Sequence, residues 1–310
     1  MSAIERTAIL GAGVIGASWA ALFLASGRHV VVFDPDPNVE TAVRGFVEKA
    51  WPALEELNLT KRATPDAIEF VQTAAKAVSN AQFIQENVPE RLPIKHATYQ
   101  EIEPVLAKDA IVSSSTSGLT LEALQEGWHD SARLILGHPF NPPHLIPLVE
   151  LTANAATAPT VLDRTETFYK DIGKVTIRIN KGLPGHVANR LQAAVWREAV
   201  HMAVEGIASV EDIDKAMWAG PGLRWAAMGP TTLFHLGAGE GGLQAFCDHF
   251  KDTFNGWWDD LGDPRLDDAV IRQLVEGMAE QARGRNTEEL SAERDKMLTA
   301  MQTATRSLRS

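Results

Sequence analysis

Short apolar runs alternate with longer amphipathic stretches through the first half of the chain. Runs of four to eight apolar residues between polar or glycine positions are typical of buried strands, whereas apolar residues three or four apart indicate helices. The pattern predicts strands at 8–10, 30–33, 81–85, 110–114 and 134–137, a helix at 14–26, and edge strands within 145–151 and 175–179. Strands that alternate with helices are typical of a parallel, doubly wound sheet, buried on both faces.

Helical spacing replaces the strand pattern in the second half. Pro184 is expected in a first helical turn, and apolar residues then recur at near-helical spacing to about Gly206. Ser209 and Asn286 each precede acidic residues, as is typical of helix N-termini. The pattern therefore predicts an α/β N-terminal domain at residues 1–183 and an all-α C-terminal domain at residues 184–310. We expect the helical domain to bind substrate and to carry the contacts of a homodimer.

A glycine-rich turn, GxGxxG, joins the first predicted strand to the first predicted helix. Gly11 permits the tight turn, Gly13 lets the backbone approach a pyrophosphate, and Gly16 lets helix and strand pack closely. Val14 and Ile15 begin the helix, whose free N–H groups and dipole favour a bound diphosphate. The turn therefore predicts a Rossmann-like nucleotide site.

Asp34 ends the second predicted strand. An acidic residue there accepts hydrogen bonds from the adenosine ribose and repels a 2′-phosphate, so it predicts NAD rather than NADP. The alternative is a structural turn in which Asp34 caps a loop. Strand, glycines, helix and acid together favour the NAD site.

Composition narrows the class of protein. The 310 residues include 29 Lys and Arg against 40 Asp and Glu, and this net charge of −11 argues against a nucleic-acid partner. Cys247 is the single cysteine, which excludes an internal disulfide framework and suits a reducing cytosol. The start lacks the order of a signal peptide, and no apolar run reaches about 18 residues. We therefore expect a cytoplasmic protein with no membrane contact and no metal site.

Four polar side chains stand in apolar or tightly turned surroundings, namely Ser117, His138, Glu150 and Asn189. Ser117 follows a strand at its carboxyl end, where ligands bind in doubly wound sheets. Glu150 interrupts an apolar strand and needs a partner there, and a histidine oriented by a carboxylate is a sound general base. Each residue alone also has a structural interpretation, as a cap, a core histidine, an ion-pair member or a buried amide. Together, beside a nicotinamide site, they predict oxidation of an alcohol.

These residues belong to an ordered set of motifs that resembles the 3-hydroxyacyl-CoA dehydrogenase superfamily over essentially the whole chain. The motifs are GAGVIG at 11–16, ENVPE at 86–90, STS at 115–117, HPFNP at 138–142, LVE at 148–150, PG at 184–185 and NR at 189–190. The resemblance implies that His138 is the base and that Glu150 orients it. It also implies that Ser117 and Asn189 hydrogen-bond the reacting oxygen.

The same resemblance implies that Glu90 and Lys95 lie on the nicotinamide-ribose side of bound NAD. Ser115 and Pro139, however, stand where the acyl-CoA enzymes typically have Asn and an aromatic residue. Arg224 lies in GLRWAAMGP, where those enzymes read GYPMGP. These departures resemble the branch that acts on small free carboxylic acids, the L-gulonate and L-carnitine dehydrogenases.

Arg224 presents a planar fork that suits a carboxylate, although an ion pair within the helical domain is the structural alternative. Within this branch the carnitine dehydrogenases are the closer resemblance. It rests on AWPAL at 50–54, WREA at 196–199, GLRW at 222–225 and VEGMAEQ at 275–281. Trp225 and Trp196 are candidates to flank a quaternary ammonium group through cation–π contacts, although tryptophans also commonly fill cores.

Three functions of different class stay open. The first is NAD-dependent oxidation of the 3-hydroxyl of a small hydroxy acid, with L-carnitine preferred and L-gulonate as the alternative. The second is a 3-hydroxyacyl-CoA dehydrogenase, for which Lys49, Lys61 and Arg62 are the basic candidates for CoA phosphates. The third is a non-catalytic, crystallin-like NAD-binding protein, and the presence of both His138 and Glu150 weighs against it.

Overall fold

An eight-stranded sheet forms the centre of the first of two compact units. The computed structural model describes residues 3–60, 64–306 and 308, and this unit comprises the residues up to 187 and those from 291 onward. Its strands are β1 (Arg6–Leu10), β2 (His29–Phe33), β3 (Ile68–Phe70), β4 (Phe83–Glu86), β5 (Ile111–Ser114), β6 (Leu134–Pro139), β7 (Leu148–Thr152) and β8 (Val175–Ile179). Their order across the sheet is β3-β2-β1-β4-β5-β6-β7-β8.

Neighbouring strands run parallel except β6 and β7, which are antiparallel. The strand order reverses between β1 and β4, and such a reversal opens a ligand crevice beyond the carboxyl ends of the strands. The predicted Rossmann-like α/β fold is confirmed. Strand β3 was not predicted, because this three-residue edge strand has a polar centre at Glu69 and no apolar run.

Helices cover both faces of the sheet. They are α1 (Val14–Ala25), α2 (Val39–Glu56), α3 (Ala74–Val78), α4 (Leu92–Ile102), α5 (Leu121–Gln125) and α6 (Pro159–Asp171). Side chains alternate across β1, so Ile9 packs in one apolar cluster with Trp19, and Leu10 packs in a second with Tyr99. Burial on both faces explains why the strands read as continuous apolar runs.

The second unit, residues 188–290, contains only helices among its regular elements. They are α7 (Ala188–Val204), α8 (Val210–Ala219), α9 (Pro221–Ala227), α10 (Pro230–Gly237), α11 (Gly242–Asp260), α12 (Asp268–Ala282) and the first turn of α13 (Thr287–Arg306). The two predicted N-caps are confirmed. The Ser209 hydroxyl accepts the Asp212 N–H at 3.1 Å, and Asn286 and Glu289 cap each other's N–H groups at 2.8 and 2.9 Å. None of the helices described here has the length and apolar character that crossing a bilayer requires.

The first helix of this unit begins later than predicted. Helix α7 starts at Ala188 and not at Pro184, because Gly185 and His186 have φ angles of 77° and 50°. A right-handed helix cannot include this left-handed conformation. The compact units therefore divide between Val187 and Ala188, four residues after the predicted boundary.

The C-terminal residues also depart from the predicted division. From Ser291 onward the chain belongs to the first unit, although the whole of 184–310 was expected in the helical domain. Gln302 Nε2 donates to the Leu145 carbonyl oxygen at 2.5 Å, and Thr299 is buried. Contacts of this kind, between residues far apart in sequence, leave no local pattern.

Lys174 is buried beneath the loop between β6 and β7. Its ammonium group donates to the carbonyl oxygens of Pro143 at 2.5 Å and Ile146 at 2.7 Å, and lies 4.8 Å from the ring centroid of Trp19. Burial lowers the pKa of Lys174 to about 7. The lysine therefore supports the loop that follows His138, at a cost in charge desolvation.

We expect Lys174→Met to alter the pH dependence of unfolding. An unfolded lysine has a pKa of about 10.4, so between pH 7 and that value the unfolded chain binds more protons than the folded chain. The contribution of Lys174 to stability therefore rises with pH in this window, and the wild type should gain on the order of 2 kcal/mol over the variant from pH 7 to pH 9. Urea unfolding measures the difference, with Lys170→Met, an exposed lysine of α6, as control. Parallel pH profiles for wild type and Lys174→Met would contradict the expectation.

Candidate active site

The glycines of the turn after β1 have different neighbours. Gly11 has φ 78°, and a Cβ there would lie 2.7 Å from the carbonyl group of Asn87. A Cβ on Gly16 would lie 2.0 Å from the Gly11 carbonyl oxygen, whereas one on Gly13 would meet nothing within 4 Å. The fold itself therefore requires Gly11 and Gly16. The open space at Gly13 fits the close approach of a diphosphate.

The start of α1 and the end of β2 border this open space. Val14 and Ile15 lie in the first turn of α1, where N–H groups have no partner within the helix. Asp34 Oδ2 accepts the Ala12 N–H at 2.7 Å, and Oδ1 accepts the Asp36 N–H at 2.9 Å. Each carboxylate oxygen has a second acceptor site, which suits ribose hydroxyls. The residues present thus fit the adenosine half of NAD.

Lys95 lies inside the first unit rather than on its surface. The residue is 1% exposed, and its ammonium group donates to Glu86 Oε1 at 2.8 Å and to the Val88 carbonyl oxygen at 3.1 Å. Glu86 is itself buried and accepts the hydroxyls of Tyr99 at 2.7 Å and Ser114 at 2.6 Å. Burial and the charge of Glu86 raise the pKa of Tyr99 well above its usual value, so its hydroxyl stays a donor. Lys95 therefore neutralises a buried carboxylate beneath the site.

Glu90 lies above this ion pair and holds the loop that carries Ser117. Its Oε1 accepts the N–H groups of Ser117 at 3.0 Å and Gly118 at 2.8 Å, together with the Thr116 hydroxyl. Lys95 Nζ lies 3.6 Å from Oε2. Burial alone would raise the pKa of Glu90, but these hydrogen bonds and the charge of Lys95 lower it overall. A charged Glu90 thus fixes the backbone at Ser117.

His138 and Glu150 lie directly opposite each other on the antiparallel strands β6 and β7. Side chains in such a pair share one face of the sheet, and His138 Nδ1 lies 2.8 Å from Glu150 Oε2. Glu150 is fully buried, and its Oε1 accepts the Val187 N–H at 2.9 Å. Because a carboxylate only accepts, Nδ1 carries the hydrogen and Nε2 of the neutral ring is the acceptor.

A second imidazole, His186, stacks on His138 with ring centroids 4.6 Å apart and planes inclined by 29°. Its Nε2 lies 3.4 Å from the Thr116 carbonyl oxygen, which connects the two histidines to the Ser117 loop. His186 was not among the site residues predicted from the sequence. The one available signal is weak, namely a histidine after a glycine, since histidine is enriched among non-glycine residues in left-handed backbone.

The pKa of His138 lies below its usual value of about 6.5. Burial is the largest cause, and a charge on His186 also disfavours the imidazolium form. The hydrogen bond and charge of Glu150 and the charge of Glu90 act in the opposite direction without reversing the shift. His138 is therefore mostly neutral at pH 7, in the form that accepts a proton.

Three predicted substrate residues lie in the second unit. Asn189 is half-buried in the first turn of α7, Arg224 is exposed near the end of α9, and Trp225 is 36% exposed. A Cβ on Gly222 would lie 2.7 Å from the Met217 carbonyl oxygen, so glycine permits α9 to follow α8 closely.

The first unit, in contrast, brings together His138, Glu150 and the Ser117 loop. No group of three metal-ligating side chains occurs in the part of the chain that the structure describes.

Two family profiles match the chain in succession. Residues 6–182 match the description "3-hydroxyacyl-CoA dehydrogenase, NAD binding domain". Residues 185–280 match "3-hydroxyacyl-CoA dehydrogenase, C-terminal domain". Together the matches cover most of both compact units.

Similar curated proteins carry the name L-carnitine dehydrogenase. The protein from Nocardiopsis dassonvillei is 44% identical over 96% of this chain and 91% of its own length. The one from Streptomyces griseus is 43% identical over 94% and 88%. The one from Pseudomonas putida is 40% identical over 98% and 95%.

Solved structures share the fold. A 5-formyl-3-hydroxy-2-methylpyridine 4-carboxylic acid 5-dehydrogenase, described as an NAD+-dependent dismutase, superposes with a TM-score of 0.83 at 28% identity. The match covers 98% of this chain and 99% of that one. The (S)-3-hydroxybutyryl-CoA dehydrogenase of Ralstonia eutropha has a TM-score of 0.65 at 24% identity over 89% and 95% of the two chains, and is similar in fold alone.

We expect two matched substitutions to separate cofactor binding from folding. Gly13→Ala places a methyl group in open space, so it should leave the melting temperature unchanged but obstruct the diphosphate and weaken NAD binding at least about tenfold. Gly16→Ala places the same methyl group against the Gly11 carbonyl, so it should lower the melting temperature. Calorimetric titration with NAD and thermal unfolding measure the two effects. Normal NAD affinity in Gly13→Ala would place the diphosphate elsewhere.

Proposed function

The chain belongs to the 3-hydroxyacyl-CoA dehydrogenase family, and we propose that it catalyses the oxidation of L-carnitine to 3-dehydrocarnitine with NAD. It is an NAD-dependent hydroxy-acid dehydrogenase. The observation that carries the reaction is the buried His138–Glu150 pair at 2.8 Å, in the same unit as the glycine-rich turn. The choice of L-carnitine rests on the similarity to L-carnitine dehydrogenases over nearly the whole chain.

In the proposed reaction His138 Nε2 accepts the proton of the substrate hydroxyl. When bound, NAD supplies the acceptor for the hydride that leaves C3. Glu150 holds the imidazole through Nδ1 and stabilises the imidazolium that forms. The buried carboxylate therefore has two functions, orientation before the proton transfer and charge compensation after it.

The loop fixed by Glu90 supports the reacting oxygen. We assign the Ser117 hydroxyl, with Asn189 from the second unit, to hydrogen bonds with that oxygen. Glu90 anchors the Ser117 N–H at 3.0 Å, which limits the motion of the serine. Lys95 influences the nicotinamide side of the site through its charge near Glu90, since its ammonium group is buried.

The two charged ends of the proposed substrate need different partners. Arg224 is the proposed partner of the carboxylate, because its guanidinium group can donate two parallel hydrogen bonds. Trp225 and Trp196 are the proposed partners of the quaternary ammonium group, since aromatic faces attract such cations. All three side chains are at least partly exposed and therefore accessible to a ligand.

We also propose that the chain forms a homodimer through its helical unit and acts in the cytoplasm. Ten large apolar side chains of that unit are more than half exposed, namely Leu191, Trp196, Ile207, Trp218, Leu223, Leu236, Trp257, Trp258, Leu266 and Val275. Exposed apolar surface of this kind favours a second copy of the chain as its cover. The lone cysteine, Cys247, supports a reducing compartment.

Removal of the base should abolish most of the activity while leaving cofactor binding intact. A positioned general base contributes about 10²–10⁴-fold, so His138→Ala should lose at least about 10²-fold in kcat with L-carnitine at unchanged NAD affinity.

In the wild type, kcat/KM with L-carnitine should rise with pH through the pKa of His138, which lies below about 6.5, because only neutral imidazole accepts the proton. NADH formation and NAD titration measure both, with His96→Ala on α4 as control. Near-normal turnover by His138→Ala would refute the mechanism.

Loss of Arg224 should lower the activity toward free hydroxy acids specifically. A hydrogen bond to a charged group is worth roughly 1.5–3 kcal/mol, so Arg224→Ala should lower kcat/KM for L-carnitine at least about tenfold. Arg224→Lys should recover only part of the loss, because a point charge does not reproduce the planar fork. Arg272→Ala, an exposed arginine of α12, is the matched control.

The same assay with L-carnitine, L-gulonate and 3-hydroxybutyryl-CoA tests the substrate class. L-carnitine should have the highest kcat/KM. If the thioester is the best substrate and Arg224→Ala leaves its turnover intact, the protein is an acyl-CoA dehydrogenase instead. If NAD binds but none of the three is oxidised, the non-catalytic alternative replaces the proposal.

A further inference from the structure

The residues that precede α7 form a left-handed turn in contact with the proposed catalytic pair. Gly185 and His186 have φ angles of 77° and 50°, and Val187 is the last residue of the first unit. Glycine adopts this conformation freely, whereas a residue with a side chain does so uncommonly. A histidine held there and only 5% exposed therefore invites a functional explanation.

Two consecutive residues of this turn contact both members of the pair. The ring of His186 stacks on the ring of His138, with centroids 4.6 Å apart. The Val187 N–H donates to Glu150 Oε1 at 2.9 Å, while Glu150 Oε2 binds His138 Nδ1. The turn thus restrains the imidazole from its face and the carboxylate from its second oxygen.

The two ring nitrogens of His186 have different surroundings. Its Nε2 lies 3.4 Å from the Thr116 carbonyl oxygen, and a carbonyl only accepts, so Nε2 carries a hydrogen. Its Nδ1 is buried and has no hydrogen-bond partner among the described residues. A hydrogen on Nδ1 would be buried without an acceptor.

The charged groups around His138 oppose one another. Glu150 from β7 and Glu90, which follows β4, are carboxylates and favour the imidazolium form. His186 covers a face of the ring, so it removes water that would solvate the imidazolium, and a second positive charge at 4.6 Å would repel it. His186 therefore favours the neutral form of His138, whereas Glu150 and Glu90 favour the imidazolium form.

We propose that His186 is a positioning residue of this site, which fixes the ring plane of His138 and keeps that ring neutral and ready to accept a proton. The proposal rests on the proposed role of His138 as the base. His186 affects activity only through His138, and no contact of His186 with substrate is required.

The test compares His186→Phe and His186→Asn with the wild type. Phenylalanine keeps a stacked ring but cannot carry the repelling charge, and asparagine tolerates the left-handed backbone but leaves the ring of His138 uncovered. Both variants should shift the titration of His138 to higher pH by about half a unit or more, followed by NMR of the imidazole Cε1–H. The acid limb of kcat/KM with L-carnitine should move equally, and His186→Asn should also lose kcat on the high-pH plateau.

A matched control is His96→Phe. His96 also has Nε2 at a backbone carbonyl oxygen, that of Ala123 at 2.7 Å, but does not contact the pair. Its substitution should cost comparable stability and leave the titration of His138 unchanged. An unchanged titration of His138 in both His186 variants would overturn the proposal.

The native protein gives a further readout that requires no variant to fold. The Cε1–H resonance of His138 should titrate below about pH 6.5, and a midpoint at or above that value would also overturn the proposal. The NMR titration needs no substrate, so it tests the role of His186 independently of the proposed oxidation of L-carnitine. A wild type that does not oxidise L-carnitine, but in which His186 shifts His138, would refute the proposed function alone.

Discussion

The hydrogen bond between His138 Nδ1 and Glu150 Oε2 is the interaction on which the candidate active site depends. A fully buried carboxylate costs several kcal/mol unless partners compensate its charge, so Glu150 needs both of its bound oxygens satisfied. The antiparallel register of β6 and β7 provides the first partner by placing His138 directly opposite. The Val187 N–H provides the second from the residue that ends the first unit. The single reversal of direction within an otherwise parallel run of strands therefore creates the pair that the proposed chemistry requires.

A second system of charges supports the other side of the site. Glu86 and Lys95 neutralise each other inside the first unit, where hydroxyl donors complete the coordination of the carboxylate. Glu90 stays partly exposed above them and organises the loop at Ser117 through backbone N–H groups. The buried pair thus provides a rigid base for a carboxylate at the rim. The fold is shared by relatives whose names specify different substrates, and we propose that side chains such as Arg224 determine the choice of substrate.

The sequence by itself determined the features that depend on neighbours within a few residues. The strand and helix periods predicted the Rossmann-like half and the helical half, because a buried strand or helix face requires apolar residues at a regular spacing within that element. The turn at Gly11 and Gly16 was predictable for the same reason, since Gly11 has a φ angle of 78° and a Cβ on Gly16 would meet the Gly11 carbonyl oxygen. The caps at Ser209 and Asn286 depend on a side chain that bonds a backbone group three residues away. The pairing of His138 with Glu150 was expected only through the resemblance to a known family, because nothing in the spacing of the two residues specifies the register of their strands.

Only the tertiary structure decided the features that arise between distant segments. The burial of Lys95 follows from Glu86 at the end of a strand, and nothing in the pattern of α4 distinguishes this lysine from an exposed one. The return of the C-terminal residues to the first unit depends on contacts such as that of Gln302 with the loop after β6. The stacking of His186 on His138 requires a left-handed turn at the boundary of the two units and a strand 48 positions earlier in the chain. Hydrophobic periodicity and capping residues depend on the energetics of a single helix or strand. The position of a buried charge or a stacked ring depends instead on the partners that folding brings to it from distant parts of the chain.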